Sequence, residues 1–163
     1  MGYAFYVSQQ HGDDGNGGSS ESVILTRSDG IANGTTTFRT SSAAFTSDMV
    51  GHRLCIPAWG DNRRIVAYVS STEVTLSSAV GTGSPVTFRI GGALATLNRV
   101  NGFIAAGDTV YIGAGTYRER IVPAVNGNAS NWITWQGDPE SRYLTKDVPG
   151  VVRVTRCDTN ENG

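Results

Sequence analysis

The 163-residue, 17.2 kDa chain carries 13 Lys+Arg against 14 Asp+Glu, a net charge of -1 that excludes the basic excess of a general nucleic-acid binder. Twenty-one glycines with only 17% charged residues describe a globular, turn-rich polypeptide, and no apolar run approaches the ~20 residues of a transmembrane helix. Cys55 and Cys157 are too few and too far apart for a disulfide framework or a zinc site and read as reduced thiols, and the start Met1–Tyr6 lacks the basic and apolar regions of a secretory signal.

Along the chain, Tyr3-Ala4-Phe5-Tyr6-Val7 is aromatic and β-branched and predicts a short strand. Gln9 to Ser20 is turn chemistry throughout. Asp13, Asp14 and Asn16 lie in it, but a calcium loop begun at Asp14 would place Leu25 where the bidentate Glu belongs, so a solvated loop is expected. From Val23 to Ile90 short β-prone runs alternate with breakers at Asp29-Gly30, Asn33-Gly34, Gly60-Asp61-Asn62 and Gly81 to Pro85. Residues 23–90 therefore predict a small antiparallel sheet or barrel. Within them Trp59, beside Gly60, is either a sugar-stacking platform or the cover of a small core.

The pattern changes at residue 91. Ala93, Leu94, Leu97, Val100 and Ile104 recur at three- and four-residue steps, predicting an amphipathic helix over 92–106 that Gly107 stops. Then come Thr109–Ile112, Tyr117–Val122, Trp132–Gln136 and Val151–Thr155, separated by Gly/Asn turns. This cadence predicts the coils of a β-solenoid, with the helix covering its exposed end. About one and a half coils are present, so the chain reads as the front of a longer one.

Ala106 to Glu119, with Gly107, Asp108, Gly115, Tyr117 and Glu119 as its fold-motif residues, resembles the first-coil motif of right-handed parallel β-helix proteins of the pectin-lyase-like superfamily. Trp132 to Pro139 is similar to a following coil, and Phe5–Ser8 with Gly12–Gly18 to the entry strand and loop. Ala44–Ile56 with Ile65–Leu76 resembles a small β-module of bacteriophage tail fibres and tailspikes. The resemblance implies a mainly β chain: a leader strand and loop over 1–22, an inserted antiparallel module over 23–90, and a capping helix with the first coils of a parallel β-helix over 91–163. It also implies a virion structural protein made in the bacterial host cytoplasm, commonly a homotrimer, with other virion proteins as partners. Host surface polysaccharide would be reached through a part beyond this chain; no nucleic acid, membrane, metal or cofactor is implied.

Three functions fit. Polysaccharide cleavage needs two carboxylates flanking one bond, or a base beside a uronate. Asp108, Glu119, Asp138 and Glu140 are the candidates, with Arg118 or Arg120 to neutralise a substrate acid. Each has a plainer role as a turn or surface residue. His11 and His52 are isolated in sequence and support no nucleophilic triad, and Arg63-Arg64 is too small a pair for a nucleic-acid patch. A structural attachment headpiece would instead bury Trp59, Tyr68, Trp132 and Trp135 between chains. A carbohydrate-binding adhesin is the third reading.

Overall fold

The computed structural model describes residues 2–155. They fall into two compact units, one of Gly15–Gly17 with Ser22–Gly92 and the other of the residues before, between and after. Cys157 lies outside the described residues.

The first strand, β1 (Ala4–Val7), alternates as its sequence demands, with Phe5 and Val7 buried and Ala4 and Tyr6 half-buried. The next six strands are β2 (Val23–Asn33), β3 (Thr37–Thr40), β4 (Arg53–Ile56), β5 (Asp61–Ser70), β6 (Glu73–Leu76) and β7 (Thr82–Gly91). They pair antiparallel in the order β2-β3-β6-β5-β4-β7 and close into a barrel through the β2–β7 ladder. Closure leaves none of these strands at a sheet edge. Inside, Phe38, Phe45 and Phe88 meet with centroids 4.9–6.4 Å apart, surrounded by Leu54, Ile56, Ile65, Val74, Leu76 and Ile90.

Expected breakers are absorbed into strands at Asp29-Gly30 in β2, Asp61-Asn62 in β5 and 82–85 in β7. Asp29-Gly30 lies within β2, where the register with β7 shifts between Arg27 and Gly30. Such a bulge bends a strand around a barrel. Glycine is needed there, because a Cβ at Gly30 would meet the Phe38 ring at 2.6 Å. Asn33-Gly34 does act as a turn, with Gly34 at φ +76°.

In the other unit, β1, β8 (Thr109–Gly113) and β10 (Thr134–Asp138) form a three-stranded parallel sheet with β8 central. Phe5, Val110 and Trp135 occupy one row of its register. The strands β9 (Gly115–Tyr117) and β11 (Val152–Val154) make a two-stranded parallel pair. A second core of Phe5, Val7, Leu94, Leu97, Val100, Ile104, Val110, Ile112 and Tyr117 fills this unit.

The expected fold, a right-handed parallel β-helix begun under an N-terminal capping helix, is overturned. The dominant architecture is the closed six-stranded antiparallel barrel, and among the described residues parallel strand ladders are confined to the two small sheets. Of the helix expected over 92–106, only α1 (Leu97–Asn101) forms. Its five apolar marker residues are all buried, so their spacing reports burial rather than helix. The reason lies in the backbone: the Ala93 and Leu94 amides bond to the Glu21 and Tyr6 carbonyls, and Leu94 bridges Val7 in parallel. The stop expected at Gly107 comes instead at Gly102, and the strand expected over 117–122 ends at Tyr117.

Candidate functional site

Three of the four carboxylates singled out for catalysis, Asp108, Glu119 and Asp138, brace the main chain. Asp108, almost fully buried, accepts the Tyr3 amide on Oδ1 and the Ala105 amide on Oδ2, both at 2.8 Å. Glu119 accepts the Leu97 and Asn98 amides at the start of α1, at 3.3 and 2.8 Å. Asp14 holds the preceding Ala95 and Thr96 amides at 3.0 Å. Orphan amides at a helix start call for such oxygens. Asp138 is buried and takes three amides at 2.8 Å: Arg142 on Oδ1, Tyr143 and Leu144 on Oδ2. Carboxylate oxygens that accept main-chain amides are turned toward the backbone. That arrangement serves loop geometry better than proton transfer.

The turn that Asp138 braces carries a cavity of about 240 Å³, lined by Gln136, Gly137, Asp138, Pro139, Glu140, Arg142 and Tyr143. Ser141, between Glu140 and Arg142 in the same turn, has φ +54°, a left-handed conformation in a non-glycine residue. The Arg142 guanidinium meets the Glu140 carboxylate through Nε at 2.8 Å and Nη2 at 2.5 Å. Tyr143 stacks on Tyr111 at 3.9 Å and 18°, and Tyr111 leans on Tyr6 at 5.6 Å. Register places Tyr6, Tyr111 and Gln136 in one row across β1, β8 and β10. Partial burial, and then the neighbouring phenol, pushes the Tyr6 and Tyr111 hydroxyls above the usual tyrosine range. The cavity thus joins an aromatic face to an amide, a carboxylate and a guanidinium.

The remaining predicted residues are dispersed. Trp59, 38% exposed, lies over Gly81 and Gly83, where an added Cβ would meet its ring at 3.1 and 2.7 Å, so it covers the barrel. Tyr68 is partly exposed on β5, and Trp135 packs against the second core. Trp132 is 72% exposed. Glu140 reaches only Arg142 among the described contacts, while Arg118 and Arg120 lie on the surface after β9. His11 Nε2 is 2.5 Å from the Lys146 carbonyl, His52 is half-buried before β4, and Cys55 is a buried thiol in β4. Arg63 pairs with Asp61 at 2.9 Å. Among the described residues no group of three or more His, Cys, Asp or Glu is placed to hold a metal ion, and no helix is long and apolar enough to cross a membrane.

Sequence reasoning found Asp138 but missed Gln136, Arg142, Tyr143 and the tyrosines beneath. The available signal was the alternation of Tyr6 and Tyr111 against buried neighbours in two strands, which puts both on one sheet face. Comparison with known protein families, characterised proteins and solved structures finds nothing that matches this chain.

Proposed function

We propose that this chain is a structural component of a bacteriophage virion (fibre, tailspike, baseplate or head decoration), these residues serving as a non-catalytic attachment and assembly headpiece. The phage assignment rests on the likeness of Ala44–Ile56 with Ile65–Leu76 to a module of tail fibres and tailspikes. The structural observation that favours it is the set of large apolar side chains left open around β10 and β11. Trp132, Val148 and Val151 are each about 70% exposed, and large apolar side chains left this open are ones that a neighbouring chain would cover. Against catalysis stands the use of Asp108, Glu119 and Asp138 as main-chain acceptors. Partners are other virion proteins and two further copies of the chain.

Light scattering on the purified protein is expected to give three times 17.2 kDa, and density of intact particles to hold it as a fixed part. A soluble monomer that releases oligosaccharide from a polysaccharide overturns the proposal.

A carbohydrate-binding adhesin is the second reading, favoured by the cavity at Gln136–Tyr143. Aromatic faces accept the apolar side of a sugar ring, while the Gln136 amide and the Glu140–Arg142 pair offer donors and acceptors to hydroxyls. Methyl pyranosides titrated into labelled protein should then shift the Gln136 and Tyr143 resonances, and Tyr143→Ala should abolish the shifts. Unmoved resonances at tens of millimolar sugar remove this reading and leave the first intact.

A further inference from the structure

Asp147 is a carboxylate whose surroundings oppose its charge. Its side chain is 1% exposed. Oδ1 accepts the Ser8 hydroxyl at 2.6 Å, while Oδ2 is buried with no hydrogen-bond partner among the described residues. Oδ2 is pressed against the end of β8: a Cβ added at Gly113 would lie 1.9 Å from it. A buried anionic oxygen without a donor is costly.

The charged groups around it do little to offset this. Glu21 and Asp138 add like charge, and the His11 imidazole lies 4.0 Å from Oδ1 with its Nε2 on the Lys146 carbonyl. Tyr117 contributes a neutral phenol from β9. Asp147 also sits among the ties that fasten residues 145–148 to the segments after β1. Gln10 exchanges two hydrogen bonds with the Val148 backbone, at 3.1 and 2.9 Å. Glu21 accepts the Lys146 amide at 2.5 Å and the Thr145 hydroxyl at 2.9 Å. Ser8 Oγ, besides donating to Asp147, accepts the Gln10 and His11 amides at 3.1 and 3.0 Å. One hydroxyl therefore joins the Asp147 carboxyl to the turn that carries the other ties.

We propose that Asp147 is a pH-sensitive latch: its protonation tightens the fastening of residues 145–148 to the loop after β1, and its ionisation loosens it. The direction follows from the site. Burial, with the nearby Glu21 and Asp138 charges, raises this carboxyl above its usual range and outweighs the Ser8 hydrogen bond and His11. The fastened state thus takes up a proton more readily than the opened one. Its advantage is complete below the ordinary carboxylate range and is lost as pH rises through the raised value. This dependence is separate from whether the neighbouring cavity binds a sugar.

Carboxyl-carbon NMR of the intact chain should show Asp147 titrating above the ordinary carboxylate range. Exchange protection of the Lys146 and Val148 amides, corrected for intrinsic rates, should rise on acidification toward about pH 4. The rise is about tenfold for each unit by which the carboxyl is shifted. Asp147→Asn, which mimics the neutral acid, should hold the protected level at neutral pH with this pH dependence gone. His11→Gln should keep the dependence. The proposal is overturned if Asp147 titrates in or below the ordinary range, if Asp147→Asn keeps the slope or lowers protection at neutral pH, or if His11→Gln removes it.

Discussion

Asp138 and Tyr117 illustrate what single side chains do here. Asp138 gathers the amides of Arg142, Tyr143 and Leu144 and so shapes the turn that walls the cavity. Its replacement by alanine leaves the buried Leu144 amide unmet, and Asp138→Ala should lower stability by about 2 kcal/mol in denaturant unfolding. Tyr117 is fully buried, its hydroxyl 3.1 Å from the Gly113 carbonyl and 3.2 Å from the Gln9 amide that donates to it. Burial pushes this phenol up to about 12. Because the folded state holds the proton more tightly, the contribution is intact below about pH 10 and is lost as pH rises toward 12. Alkaline unfolding of the wild type should show that loss, and Tyr117→Phe should lack it while costing about 1 kcal/mol at neutral pH. The turn character of Asp138-Pro139 is visible in the sequence, but which amides Asp138 serves is not, since the backbone's path determines them.

At the scale of elements, the 91–106 segment shows how far periodicity carries. Ala93, Leu94, Leu97, Val100 and Ile104 are all buried, as their spacing requires. Yet helix forms only over Leu97–Asn101, where Glu119 meets the Leu97 and Asn98 amides and the Thr96 hydroxyl accepts from Arg99. Three-to-four spacing is also produced when a chain crosses a core in an extended stretch followed by a single helical turn. Leu97→Ala should cost about 3 kcal/mol and Leu97→Asp more, measured by thermal or urea unfolding. Strand β6 matches its expected run, Glu73–Leu76, whereas β2 and β7 extend beyond theirs through glycines that the sequence marks as breaks. Gly30→Val puts branched carbons into Phe38 and Val86 and should lower barrel stability by about 2 kcal/mol.

For the molecule as a whole, the two cores share no residue: one is the Phe38–Phe45–Phe88 cluster of the barrel, the other centres on Phe5, Leu97, Val110 and Tyr117. A closed barrel with its own core should fold alone, so residues 15–92 expressed by themselves are expected to unfold cooperatively with β-rich circular dichroism. A non-cooperative melt of that fragment contradicts this. Composition, turn chemistry and side-chain period by themselves determined a glycine-rich, mainly β chain with a strand-dense middle and the burial of Ala93, Leu94, Leu97, Val100 and Ile104, because these depend on local propensity and spacing. Tertiary structure decided that the middle closes into a barrel, that the segment 92–106 forms α-helix only over Leu97–Asn101, and that Asp108, Glu119 and Asp138 serve as braces for the main chain. Strand partners and backbone hydrogen bonds are chosen between residues tens of positions apart, and a run of strand-forming residues carries no mark of its partner until the chain has closed.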